Sequence, residues 1–252
     1  MDLKLKGGKA LITGGSKGIG RAIAEALANE GCDVAICARN QQELDAAVKS
    51  LSSKGVKAIG KSVDVGDGAA LKAWVEESGN ALGGIDCMVC NVSGGNAPGE
   101  DGWRANFEYD ILGSVRCVEA ALPFLEKSSN ASILMISSTA ALEKFIRAGA
   151  YNAMKAALLN YSGALAQDLG PKGIRVNAIS PGPIMIEGGS WDRIKQHMSA
   201  FYEQTLKEIP LGRMGRADEV AAQAALLASP LGAFTTGANI VIDGGITKRI
   251  QF

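Results

Sequence analysis

No stretch of this chain approaches the ~20 consecutive apolar residues that a bilayer-spanning helix needs. Its first residues, Met1-Asp2-Leu3-Lys4-Leu5-Lys6, lack the apolar run of a secretory signal. A cytoplasmic location is the expectation. Neither sign of charge is in excess: 26 basic residues balance 26 acidic ones, and the pI is about 6.6. Without a basic surplus, neither a nucleic acid nor an anionic membrane is an expected partner. No linker, low-complexity tract or repeat interrupts the 252 residues, so residues 1–252 read as one domain. The single histidine, His197, reads as a surface helix residue rather than a catalyst. Cysteines number five, an odd count that argues for free thiols in a reducing compartment. Cys87 and Cys90 form a C-x-x-C, but they lie in a strand, where residues three apart point to opposite faces. A shared disulfide or metal is not expected on that ground, and core packing is the favoured reading.

What the chain does have is an alternation of short apolar strands and helical patterns. Apolar residues make up 47% and charged residues 21%, the profile of an ordinary globule with a large core. Lys9 to Thr13 reads as a strand, and it runs directly into Gly14-Gly15-Ser16-Lys17-Gly18-Ile19-Gly20 and then into a helix. Strand, glycine turn and helix, in that order, are the context a dinucleotide-phosphate site needs, where a glycine-rich loop alone could be a plain tight turn. Glycines let backbone approach the phosphates closely, and the helix start presents free N–H groups and a positive dipole end. A second strand, Asp33 to Cys37, ends in Ala38-Arg39-Asn40. This is the place, about 20 residues past the loop, where an acid would hold an NAD ribose. Arg39 stands there instead, and with Lys17 it is suited to a 2′-phosphate, so NADP(H) is expected over NAD(H). Asp64 and Val65 follow the third strand, Val56 to Val63, where a carboxylate meets the adenine amino group or merely caps a turn. The fourth strand runs from Ile85 to Cys90 and leads into Asn91-Val92-Ser93-Gly94-Gly95. A long helical stretch covers about 101–127, and a fifth strand, Ser132 to Ile136, ends in Ser137-Ser138.

Tyr151 and Lys155 come next. Four apart on a helix, they share a face one turn apart. A phenol is protonated near neutrality, and an ammonium beside it stabilises the phenolate. The pair can therefore pass a proton to or from a substrate oxygen, with Tyr151 as acid/base. By themselves two such residues are an ordinary surface pair; the serines upstream and the glycine loop give them a context. A sixth strand, Ile174 to Ile179, ends in Ser180-Pro181-Gly182-Pro183, and residues 184–210 then break the alternation. That segment carries Trp191, Phe201 and Tyr202 and reads as a substrate lid. With Phe145 these aromatics suggest an apolar pocket. The whole pattern predicts an α/β fold: one Rossmann-type doubly wound sheet of about seven parallel strands with helices on both faces.

Taken together, Thr13 to Gly20, Asp64, Ser138, Tyr151-Asn152-Ala153-Met154-Lys155 and Pro181-Gly182 resemble the short-chain dehydrogenase/reductase family over essentially the whole chain. Within it, the chain looks like bacterial reductases of the 3-oxoacyl carrier-protein reductase type. The resemblance implies an NADP(H)-dependent oxidoreductase acting on a small carbonyl or secondary alcohol. It assigns acid/base work to Tyr151, ribose binding and support of the phenolate to Lys155, and the substrate oxygen to Ser138. It places Gly14, Ser16, Lys17, Gly18 and Ile19 on the dinucleotide, Asn91 near the adenine-side ribose, and Pro181, Gly182 and Ile184 near the nicotinamide. It also implies a homotetramer, or a homodimer, with helices 101–127 and 151–169 at an interface. The apolar Ile250-Gln251-Phe252 suggests another contact.

The chain departs from the family pattern in three places. Cys90-Asn91-Val92-Ser93 replaces Asn-Asn-Ala-Gly. Ile186 replaces a threonine that would touch the carboxamide. Asp110 stands where the resemblance puts a catalytic asparagine, with Asn106 one turn earlier as an alternative. An ionised Asp110 near Lys155 favours the ammonium and disfavours the phenolate; a protonated one donates as an amide would. Either way the position is expected to hold a relay water. These departures keep two other readings open, an NADP(H)-binding sensor or interaction protein, and an epimerase or dehydratase on the same scaffold.

Overall fold

The computed structural model describes residues 2–145 and 148–250. Gln251 and Phe252, which carry most of the expected C-terminal contact, lie outside the described residues.

The strands are β1 (Lys9–Thr13), β2 (Asp33–Ala38), β3 (Ala58–Ser62), β4 (Cys87–Cys90), β5 (Ser132–Ile136), β6 (Arg175–Pro181), β7 (Ile184–Met185), β8 (Gly215–Arg216) and β9 (Asn239–Ile242). The helices are α1 (Gly18–Asn29), α2 (Gln41–Ser52), α3 (Gly68–Leu82), α4 (Gly99–Asn106), α5 (Gly113–Leu125), α6 (Ala150–Leu169), α7 (Ser190–His197), α8 (Ser199–Glu208) and α9 (Ala217–Ala228). Seven strands form one sheet in the order β3-β2-β1-β4-β5-β6-β9, and every pairing is parallel. β7 and β8 make a separate two-stranded pair.

Alternation along the central strands sends side chains to two cores. Leu11, Met88, Ile133 and Met135 point to one face, where Leu71 and Trp74 of α3, Val118 of α5 and Leu158 of α6 cover them. Ile12, Ile36, Val89 and Leu134 point to the other, under Ile23 and Leu27 of α1, Leu44 of α2 and Val220 of α9. Both faces being buried explains why these strands read as continuous apolar runs rather than alternating ones. Cys87 and Cys90 fall in different cores, as strand geometry requires, and all five cysteines are free and buried. Burial pushes the Cys32 and Cys37 thiols up to about 12, which leaves them protonated and inert.

Local chemistry sets the helix starts. The Asn40 side chain accepts from the Glu43 N–H at 3.0 Å and opens α2. Asp67 accepts from the Ala69 and Ala70 N–H groups at 3.1 and 3.0 Å and opens α3, which ends on Gly83 at φ 77.

Two stretches differ from the sequence reading. The long helix of 101–127 is three pieces, because Phe107–Leu112 widens into a π-helical turn between α4 and α5. Residues 184–210 hold β7 and two helices, divided at Met198, whose φ of −139 and ψ of 50 stop α7. Trp191, Tyr202, Ile209 and Met214 bury each other in a small third core there. His197 is exposed, at the end of α7. Among the described residues no helix is long and apolar enough to cross a membrane, and no cluster of three or more His, Cys, Asp or Glu side chains is placed to hold a metal.

Candidate active site

β1 pairs with β2 on one side and β4 on the other, so the chain reverses its direction of winding between β1 and β4. In open parallel sheets the crevice outside the strand C-termini at such a point receives the ligand. The glycine loop lies there. Gly14 has φ 66 and Gly18 φ 60, conformations that side-chain-bearing residues rarely adopt. A Cβ on Gly20 would stand 2.4 Å from the Gly14 carbonyl oxygen, so α1 approaches β1 more closely than any other residue permits. Asn91 fastens the loop from the neighbouring strand end: its Nδ2 donates to the Thr13 carbonyl at 3.0 Å, and its N–H donates to Thr13 Oγ1 at 2.9 Å.

Gly14, Ser16, Lys17, Arg39, Asp64, Val65 and Asn91 all line one cleft of about 610 Å³. Asp64 does two things. Its Oδ1 accepts from the Gly66 N–H at 2.9 Å and shapes the turn after β3; its Oδ2 accepts from the Tyr109 hydroxyl at 3.2 Å. Burial first, then the Asp64 carboxylate, push the Tyr109 phenol up, while the nearby Arg39 guanidinium pulls it down. Tyr109 and Glu43 complete the cleft and were not singled out in the sequence. Nothing local marks either: Tyr109 reaches the cleft from the π-helical turn, and Glu43 reads as an acidic residue in the first turn of a helix. The cradle fits a dinucleotide. It offers glycine backbone without Cβ atoms at the start of α1 and two cations, Lys17 and Arg39, at the outer end.

A second cavity, of about 450 Å³, is lined by Ile19, Ser138, Tyr151, Pro181, Gly182 and Ile184, with Ile186. Ile186 replaces a hydroxyl with an apolar side chain, and its Cδ1 stands 3.4 Å from where a Gly18 Cβ would be. Thus it roofs the glycine loop. α6 delivers Tyr151 and Lys155, and two bonds lock α6 to the end of β5. Ser137 Oγ donates to the Lys155 carbonyl at 3.0 Å, and Lys155 Nζ donates to the Ile136 carbonyl at 2.7 Å. Ser138 Oγ accepts from the Ala140 N–H at 3.1 Å, which orients it at the strand end. The ammonium of Lys155 lies 5.9 Å from the Tyr151 ring centre.

Asp110, and not Asn106, reaches the lysine. Lys155 Nζ and Asp110 Oδ1 are 2.9 Å apart with side-chain exposures of 3% and 0%. Asp110 Oδ2 accepts from the Gly94 N–H at 2.8 Å and from Ser93 Oγ at 3.3 Å. Ser93 in turn accepts from the Gly95 N–H, so its proton faces the carboxylate. Oδ2 therefore takes two donors, while Oδ1 accepts no hydrogen bond and meets the ammonium as an ion pair alone. Asn106 is buried, but its Nδ2 is spent on the Gly95 and Gly102 carbonyls at 2.9 and 2.8 Å.

The far wall of the second cavity is aromatic. Trp191 stacks on Phe201 with centres 6.0 Å apart and planes 9° apart, and meets Phe145 at 5.9 Å and 59°. Glu143 holds the C-terminal segment over this end, since its Oε1 accepts from the Lys248 and Arg249 N–H groups at 2.6 and 2.7 Å.

Known proteins match this architecture from end to end. A family described as enoyl-(acyl carrier protein) reductase matches residues 14–247. An isoepoxydon dehydrogenase from Aspergillus clavatus is 42% identical over 254 residues, covering 98% of each chain. A cyclohexanol dehydrogenase from a Rhodococcus species is 34% identical over 271 residues, again covering 98% of each. The crystal structure of L-sorbose reductase from Gluconobacter frateurii, complexed with NADPH and L-sorbose, superposes with a TM-score of 0.91 at 29% identity, covering 99% of this chain and 100% of that one.

Proposed function

Because the chain belongs to the short-chain dehydrogenase/reductase family, we propose that it is an NADP(H)-dependent oxidoreductase of a cyclic secondary alcohol and its ketone, with Tyr151 as the acid/base. One observation carries the reading. Ser138 and Tyr151 open into the same cavity as Ile19 of the glycine loop and Pro181-Gly182, so the two hydroxyls share a cavity with one end of the glycine loop.

NADP(H), when bound, supplies or accepts the hydride at the nicotinamide ring. The chain's own residues do the rest. Ser138 holds the substrate oxygen, and Tyr151 gives it a proton in reduction or takes one in oxidation. Lys155 supports the phenolate form of Tyr151 and, with it, holds the nicotinamide ribose. Asp110 positions Lys155. Gly14, Ser16, Gly18 and Asn91 hold the diphosphate and adjoining ribose, and Asp64 and Val65 the adenine. Pro181, Gly182 and Ile184 seat the nicotinamide, while Arg39 and Lys17 meet the 2′-phosphate. Residues 184–210 act as a lid within a single domain. An assembly of identical subunits through α6 is supported by its exposed face, where Ala153, Ala156, Ala157 and Ala164 leave room for close helix packing.

The cofactor reading is tested by paired fluorescence titrations. NADPH is expected to bind more tightly than NADH, and Arg39→Asp is expected to weaken NADPH by about tenfold or more with little change for NADH. Equal affinities in the unaltered protein overturn the role given to Arg39 and Lys17.

The aromatic wall supports the ring-shaped substrate, as does the cyclohexanol named for one relative. Trp191→Ala is expected to raise KM for cyclohexanol or cyclohexanone by about five- to tenfold, the worth of one aromatic face. An acyclic secondary alcohol should lose less. Equal losses for both would remove the ring preference and leave Trp191 a packing residue of α7.

A further inference from the structure

The outer end of the dinucleotide cleft contains an anion that a 2′-phosphate site does not need. Glu43, in the first turn of α2, faces the two polar side chains of the glycine loop. Its Oε1 is 3.3 Å from Lys17 Nζ, and its Oε2 accepts from Ser16 Oγ at 3.4 Å. The backbone that carries the carboxylate is held at the start of α2, because the Glu43 N–H donates to Asn40 Oδ1 at 3.0 Å. Arg39, the other cation, shares the same cleft with the Asp64 carboxylate. The cleft therefore holds two cations and two anions, and Lys17 is already paired.

We propose that Glu43 is a specificity-determining residue that holds down the preference for NADP(H) by competing with the 2′-phosphate for Lys17 and Ser16. The inference rests on the NADP(H) reading above and refines it. A phosphate monoester brings about two negative charges, so it must part Glu43 from Lys17 and then lie near the carboxylate. A 2′-hydroxyl has neither cost. It is a donor, and a carboxylate at this end of the cleft accepts from it as the acid of an NAD site does. Glu43 thus penalises one cofactor and helps the other. Lys17 is otherwise exposed, at 76% of its side chain, and Glu43 is the carboxylate it pairs with.

The test is direct binding, with no turnover needed. NADPH and NADH are titrated by fluorescence into the unaltered protein, Glu43→Gln and Glu43→Asp, and each variant's melting temperature is taken without nucleotide. Glu43→Gln is expected to tighten NADPH by about three- to tenfold, the effect of one partly exposed charge on a doubly charged group. NADH should stay level or weaken. Glu43→Asp keeps the charge and should not reproduce the gain. If NADPH affinity is unchanged, or both cofactors move together, the assignment is overturned and Glu43 only stabilises the first turn of α2. Should the unaltered protein prefer NADH, the NADP(H) reading fails, while a gain for NADPH in Glu43→Gln still upholds the role of Glu43. Loss of binding of both cofactors to every form would sink both.

Discussion

Tyr151→Phe is expected to lower turnover by roughly 10²–10⁴-fold while NADPH still binds. The phenyl ring keeps the shape of the site, and α6 stays anchored through Ser137 and Lys155. What disappears is the one proton-bearing group that the helix presents next to Ser138 in the second cavity. With Ser138 in its proposed role on the oxygen, substrate affinity should change little and the loss should fall on kcat rather than KM. Absorbance of the reduced nicotinamide follows the reaction, and the same fluorescence titration used for Arg39 confirms that cofactor is bound. A variant that turns over within about threefold of the unaltered protein would take the acid/base role from Tyr151. A protein that binds NADPH but transforms no member of a carbonyl panel would favour the sensor reading, and turnover without net change in cofactor absorbance would favour epimerisation or dehydration.

Local pattern carried the fold a long way. Continuous apolar runs such as Ser132–Ile136 and Cys87–Cys90 mark strands buried on both faces, and the four-residue spacing of Tyr151 and Lys155 holds on α6. The glycine loop could be read because its chemistry is local: strand, turn and helix are contiguous. Element ends were less legible. β4 begins at Cys87 rather than Ile85, and β3 at Ala58 rather than Val56, because pairing with the neighbouring strand decides where a ladder starts. The π-helical turn at Phe107–Leu112 was invisible for a similar reason. It depends on what packs against it, and the sequence there reads as uninterrupted helix. The pairs that tune the site are long-range. Lys17 with Glu43, Tyr109 with Asp64, and Ser93 with Asp110 join residues from different elements, and no spacing rule links them. Sequence could place Asp110 near the lysine by resemblance, but not say which groups each of its oxygens faces.

That last point gives the second large effect. Asp110→Ala should cost about 3–5 kcal/mol, since it strands the Lys155 ammonium in a site that water barely reaches. For a domain of this size the melting temperature should fall by roughly 10 °C. Asp110→Asn is the sharper experiment, because an asparagine is what the family pattern would put here. An amide has one acceptor, whereas this site needs two: Oδ2 faces the Gly94 N–H and the Ser93 hydroxyl, and Oδ1 faces the ammonium. Whichever way the amide turns, an NH₂ group points at a donor. The expected cost is about 1–3 kcal/mol, with a loss of kcat as Lys155 shifts beneath Tyr151. Stability alone would not separate a positioning role from simple packing, so the paired variant Lys155→Met with Asp110→Leu supplies the contrast. Removing both charges should restore much of the stability that either single change loses, while leaving the enzyme inactive. If Asp110→Asn melts and turns over like the unaltered protein, the carboxylate has no special place at this site, and Ser93 and Gly94 adapt to an amide without cost.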